Sequence, residues 1–145
     1  MNFEGDLSLL QRKMAASSAG VQRRQAVMEA LNVRSGQSIL DLGCGGGHLV
    51  EELARAVGPH GKAFGLDPSK TQIQAARERC NRFDQATFFC CMADEIALKA
   101  ASCDAVASIQ TLEYIEDVDA ALSAAIPLLK AQSKFVNISI LWDHF

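Results

Sequence analysis

Apolar positions alternate along this chain between two rhythms. Val21, Val27, Met28 and Leu31 fall at near-helical spacing with Arg23, Arg24 and Glu29 opposite, predicting an amphipathic helix over 21–33 that Asn32 and Gly36 end. Ser38 to Leu42 (SILDL) is a short apolar run stopped by Gly43-Cys44-Gly45-Gly46-Gly47, which reads as a buried strand entering a tight turn. Leu49, Val50, Leu53, Ala54 and Val57 then take helical spacing, closed by Gly58-Pro59. The pattern repeats with a strand over 62–67 (KAFGLD) and a helix opened by Ser69, with Gln72 at the capping-box spacing and Ile73, Ala76 and Cys80 on its buried face. Further strands are predicted at 86–91, 104–109 and 134–141, with helical stretches near 94–99 and 118–126. Strands alternating with helices predict a mainly parallel sheet covered on both faces. Residues 1–20 read as an N-terminal extension and 21–145 as one domain.

The composition suits that plan. Of 145 residues, 49% are hydrophobic and 21% charged, enough apolar surface for a single core. Fourteen Lys and Arg against seventeen Asp and Glu give a net charge of -3, which argues against nucleic acid or an anionic membrane as partner. No apolar run approaches the roughly 20 residues of a membrane-spanning helix, and the first residues lack the basic-then-apolar order of a secretory signal, so a cytoplasmic location is expected. The five cysteines are odd in number and contain no C-x-x-C or zinc spacing; they read as reduced, mostly buried small residues, with no metal.

In an open parallel α/β sheet, ligands bind beyond the carboxyl ends of the strands, where helix N-termini present unpaired N–H groups. That rule selects 41–47, Asp67-Pro68, 91–94 and 108–114. Consecutive glycines let backbone approach a ligand closely and predict a cradle of amides at 43–47, although such a turn also serves simply as a sharp corner. Asp67, at the end of the second strand, can accept both hydroxyls of a ribose. The spacing D-x-G-x-G-x-G at 41–47 departs from the dinucleotide pattern G-x-G-x-x-G, which needs glycine where His48 stands. Dinucleotide binding therefore falls behind.

With ILDLGCGGG (39–47), GLD (65–67), the Met92-Ala93-Asp94 corner and CDAVASIQTLEYIEDV (103–118), the chain resembles the class I S-adenosylmethionine-dependent methyltransferases, most closely the ubiquinone- and menaquinone-biosynthesis type. The resemblance runs from about Leu31 to Leu141. It implies a Rossmann-like three-layer α/β sandwich of strand order 3-2-1-4-5 and S-adenosyl-L-methionine as cofactor, leaving S-adenosyl-L-homocysteine as product. It further implies that the Gly43-Cys44-Gly45 backbone lies along the methionyl part, that Asp41 shapes the turn, and that Asp67, next to Pro68, binds the ribose. For the adenine, Ala93 offers its N–H, Met92 packs on the ring, and Asp94 either meets the exocyclic amine or caps the following helix. Gln110 is implied beside the methionyl amine. Glu113 and Tyr114 either face the acceptor or are an exposed acid and a half-buried ring; His48 either contacts the cofactor or is solvated.

The implied reaction moves a methyl group in line onto a small-molecule nucleophile, which requires positioning and exclusion of water more than a base; His144 is the one candidate base near the fifth strand. Cys44 has no basic partner in sequence and reads as a packing residue rather than a nucleophile. The acceptor pocket is expected from 1–20 and 110–117. Two departures from the family stand out. Lys130-Ala131-Gln132-Ser133 replaces the usual Lys-Pro-Gly-Gly, with Pro127 expected to stop the preceding helix near Ala125, and IQTLEY (109–114) lacks the Asn/Asp-Pro-Pro-aromatic motif of nucleic-acid enzymes. The family's final β-hairpin is not found before Phe145, so three readings stand: the sequence is a fragment of a longer one, or the fifth strand is an edge that pairs with a second copy, or another protein completes it. A non-catalytic cofactor-binding module is the rival reading.

Overall fold

The structure, a computed structural model, describes residues 3–109, 111–112 and 115–139. A π turn (Phe3–Leu7) leads into α1 (Ser8–Ala16) and α2 (Ser18–Leu31). Then follow β1 (Ser38–Leu42), α3 (His48–Val57), β2 (Lys62–Leu66), α4 (Lys70–Arg79), β3 (Ala86–Phe89), β4 (Cys103–Ile109), α5 (Val118–Ala125) and β5 (Leu129–Ile138). The five strands form one parallel sheet, as the alternation of elements predicts, in the order β3-β2-β1-β4-β5 that the resemblance implies. β1 is central, with Asp41 opposite Gly65 on one side and Ala107 on the other.

Successive β1 side chains enter different layers, because a strand turns alternate residues to opposite faces. Ile39 joins a core with Val27, Leu31, Leu49, Val50, Leu53, Val57 and Ile73, under α2, α3 and α4. Leu40 and Leu42 join a second core with Phe64, Leu66, Val106, Ala125 and Leu128, under α5. Both layers close at the carboxyl ends of β1 and β2, which fixes where the glycine turn must lie.

Local chemistry explains most element ends. Ser17 Oγ accepts the Gly20 N–H at 3.2 Å and starts α2 three residues before the predicted Val21; Asn32, at φ 48°, ends it. α5 stops at Ala125, and Pro127 sits in the 3-10 turn Ile126–Leu128, as a residue lacking an N–H requires.

Three expectations need correction. The helix near 94–99 is only a 3-10 turn at Ala93–Glu95; beyond it Ile96 and Leu98 are half-buried while Ala97 and Lys99 are exposed, so burial alternates and the segment runs extended against the second core. β3 ends at Phe89, leaving Cys90 and Cys91 in the following corner. β5 begins at Leu129, not Lys134: Leu129 pairs with Cys103 and Lys134 with Ala105, so the segment expected as a loose turn is a bulge within the strand, with Gln132 at φ 62°. The predicted strand end at Leu141 lies outside the described residues.

Candidate functional site

The turn between β1 and α3 is anchored from β2. The Leu66 carbonyl accepts the N–H groups of Gly43 and Cys44, both at 2.8 Å, and Asp67 Oδ2 accepts that of Gly45 at 3.1 Å. Gly47 N–H closes onto the Cys44 carbonyl at 3.1 Å. The expected cradle of free amides is therefore largely engaged within the protein, and Gly46 alone of the five turn residues has an N–H without a partner among the described residues. Asp67 completes its role by accepting the Ser69 N–H on Oδ1 at 2.9 Å, which joins the turn to the start of α4.

Gly43, Gly45 and Gly47 have φ of 77°, 54° and 85°, a region that side chains disfavour. Their surroundings differ. A Cβ at Gly43 would fall 2.3 Å from Thr111 Oγ1 and Cγ2, and one at Gly47 would fall 2.9 Å from Ala76 Cα. A Cβ at Gly46 would likewise fall 2.9 Å from Cγ and Cδ of the Arg12 stem. At Gly45 the nearest atom is Gln72 Nε2 at 3.6 Å, so this residue has room beside it.

Two carboxylates stand under the turn. Asp41, 3% exposed, has its carboxyl raised to about 7, first by burial and then by the Asp67 charge. Burial, followed by Asp41 and Asp67, also pushes the Cys44 thiol well up, and its Sγ approaches the Gly45 carbonyl at 3.6 Å. A thiol held protonated packs rather than attacks.

α1 reaches over this corner. Gln72, buried on α4, accepts Arg12 Nη1 on Oε1 at 3.2 Å and donates Nε2 to Gln11 Oε1 at 2.9 Å. Its side chain thus serves the N-terminal segment, while Ser69 Oγ accepts the Gln72 N–H at 3.2 Å to cap α4. Sequence reasoning missed Gln11, Arg12 and Thr111; crowding of a glycine by a residue distant in sequence has no local signature. His48 is half-buried, with Nε2 shielded and without a partner among the described residues. Burial, then Arg79 and Arg24, lower its pKa to about 4, so it is neutral at pH 7.

The third corner is more open. Met92 is 49% exposed, donates its N–H to Glu95 Oε1 at 2.9 Å and accepts the Glu95 N–H at 3.0 Å. Met92 therefore occupies the N-cap position, and the exposed Asp94 caps no helix. Ala93 is half-buried against the second core. Pro68 is exposed, and its carbonyl accepts the Cys90 thiol at 3.6 Å. At the end of β4, Ser108 is 0% exposed, with no partner for Oγ among the described residues. Gln110, Glu113, Tyr114 and His144 lie outside the described residues.

A sequence profile for a family described as "Methyltransferase domain" matches residues 33–141. This chain belongs to the class I S-adenosylmethionine-dependent methyltransferase family. It is 28% identical over 129 residues to a ubiquinone biosynthesis O-methyltransferase of Bradyrhizobium diazoefficiens, covering 88% of this chain and 50% of that protein. The chain spans 38% and 50% of the lengths of the first two curated relatives it matches. Among solved structures, the fold is shared with a putative methyltransferase in complex with the Haloferax volcanii Trm112 activator (TM-score 0.78, 23% identity, 92% of this chain and 58% of that one). It is also shared with Haemonchus contortus phosphoethanolamine N-methyltransferase 2 in complex with S-adenosyl-L-methionine (TM-score 0.70, 25% identity, 79% and 27%).

Proposed function

We propose that this methyltransferase-family chain binds S-adenosyl-L-methionine across the carboxyl ends of β1, β2 and β3 and presents its methyl group to a small-molecule nucleophile. The open side of Gly45, above the Asp67 carboxylate, is the observation that carries the reading: this turn leaves space for a ligand at the position nearest an acid able to accept hydroxyl hydrogen bonds. The donor set fits. Gly43, Cys44 and Gly45 supply the backbone wall for the methionyl part, and Asp41 shapes the turn from the buried end of β1. Asp67, with Pro68 beside it, takes the ribose; Met92 and Ala93 cover the adenine, and Asp94 lies at the rim. Gln110, next to Ile109 at the end of β4, borders the methionyl amine.

The cofactor, when bound, supplies an activated methyl on a sulfonium. The protein's contribution is to hold two reactants at attack distance without water, which in well-arranged cases supplies on the order of 7–11 kcal/mol. The neutral His48 is no cationic competitor for the sulfonium. A small acceptor is in keeping with the O-methyltransferase relatives, whose names place them in ubiquinone biosynthesis. Among the described residues no helix is long and apolar enough to cross a membrane. The reading includes a cytoplasmic site of action and β5 as an edge that pairs with a second copy or a completing chain.

Titration calorimetry tests the cofactor assignment. The chain binds S-adenosyl-L-homocysteine and not NAD, and Asp67→Ala weakens that binding at least tenfold, about 1.4 kcal/mol. Unchanged affinity in Asp67→Ala overturns the placement of the ribose.

A further inference from the structure

A recess lies at the opposite end of the sheet from the glycine turn, at the amino ends of β1 and β4. Its volume is about 380 Å³, within the roughly 300–1,000 Å³ range of small-molecule sites. Arg34, Lys130 and Lys134 line it against a single acid, Asp104, so the local balance is positive in a chain whose net charge is -3.

Two of these cations are already held in place. Lys130 Nζ donates to Asp104 Oδ1 at 3.1 Å, and Asp104 Oδ2 accepts the Ser38 N–H at 2.8 Å, which fixes the carboxylate. Lys134 Nζ donates to the Ala30 carbonyl at 3.1 Å, in the last turn of α2, and so offsets the negative end of that helix. Arg34 differs from both. Its N–H donates to Gln37 Oε1 at 2.8 Å, but its guanidinium has no acceptor among the described residues, and the side chains of Gln132 and Ser133 at the same recess have no partner there either.

The bulge in β5 builds one wall. Residues 130–133 stand opposite Asp104 alone, because Leu129 pairs with Cys103 and Lys134 with Ala105. The extra residues, with Gln132 at φ 62°, carry the chain out of the ladder and place Lys130 and Lys134 at the two ends of the excursion. Ala131, Gln132 and Ser133 are the positions that depart from the family's Lys-Pro-Gly-Gly, so this wall belongs to the present chain and not to the resemblance.

A guanidinium with its N–H fork unengaged, beside two ammonium groups, matches the oxygens of a phosphate, which accept parallel charge-assisted bonds. None of the large exposed apolar side chains among the described residues lines the recess, which favours a free anion over the headgroup of a lipid surface. We propose that the recess binds a small free anion carrying more than one phosphate group, with Arg34, Lys130 and Lys134 as its binding residues. This site is separate from the cofactor site and does not depend on the reading given for it.

Titration calorimetry of the whole chain with inorganic pyrophosphate at low ionic strength tests the proposal. Arg34→Gln and Lys134→Gln each weaken binding about threefold, the scale of one exposed charge pair, and Asp104→Asn, which removes the acid, strengthens it by about the same factor. Lys13→Gln, the same change of charge on the exposed face of α1, leaves affinity within about 1.5-fold. No binding of pyrophosphate, or equal losses for Lys13→Gln and Arg34→Gln, overturns the site. Displacement of pyrophosphate by saturating S-adenosyl-L-homocysteine also overturns it, because the anion then lies at the glycine turn. Sedimentation of the chain with phosphatidylglycerol vesicles in the absence of pyrophosphate binding overturns it in favour of a lipid headgroup. The Arg34 side chain makes no bond among the described residues, so Arg34→Gln keeps the thermal midpoint of the unsubstituted chain and its loss of affinity reports recognition.

Discussion

The corner after β1 and the corner after β3 both open at the same end of the sheet, but they are built on different principles. At the first, almost every atom is answered by protein: two amides converge on Leu66, one on Asp67, and three of the four glycines are crowded by Thr111, Arg12 and Ala76. At the second, Met92 and Glu95 satisfy each other, and the methionine side chain is half exposed. The first corner is determined by folding and leaves one open position, at Gly45. The second keeps Met92 and Asp94 exposed, with Ala93 half-buried between them.

The contrast can be broken most directly at the first corner. Gly47→Ala places a Cβ against Ala76 at a positive φ and is expected to cost about 3–5 kcal/mol in urea unfolding. Gly45→Ala has room and should cost only about 1–2 kcal/mol while abolishing detectable S-adenosyl-L-homocysteine binding. Equal stability losses at the two positions would show that Gly45 is packed as tightly as Gly47.

A second expectation concerns protons buried at the same corner. Asp41, raised from 3.8 to about 7, keeps its proton in the folded chain at pH values where the unfolded chain has lost it, so its contribution to stability falls as pH rises from about 4 to 7. His48, lowered from 6.5 to about 4, binds fewer protons folded than unfolded, so its contribution rises with pH over about 4 to 6.5. The two slopes oppose each other. Asp41→Asn should gain on the order of 3 kcal/mol at pH 8 and uncover the rising limb of His48 below pH 6.5, read from urea midpoints across the pH range. A variant with the unsubstituted pH profile would mean that Asp41 ionises normally in the folded protein.

The smallest effects belong to the third corner. Met92→Ala should leave stability within about 0.5 kcal/mol and reduce S-adenosyl-L-homocysteine affinity about threefold. A loss of stability comparable to Gly47→Ala would erase the distinction between the two corners.

The same distinction explains what was legible in the chain. SILDL followed by five residues containing four glycines announces strand, turn and helix, because each needs only local rules, and β1 is found at Ser38–Leu42 as read. Asp41 and Asp67 could be placed from strand ends alone. The purpose of the glycines could not, since Thr111 and Arg12 come to the turn from 68 and 34 residues away in sequence. The 94–99 stretch was misread because IALK satisfies a helical composition while its burial alternates. β5 was read short because a bulge with Gln132 at positive φ interrupts the alternation that marks a strand.

The central position of β1 has a consequence for how the chain is made. Its β2 neighbour lies only a helix away, but Ile39 must wait for Ala105 to complete its other side. Pairings so distant in sequence are slow to form, and a polypeptide emerging from the ribosome N-terminus first exposes one flank of β1 until β4 has been translated. Translation rate and chaperone access over residues 90–109 should therefore govern the yield of folded protein more than any later stretch of the described chain.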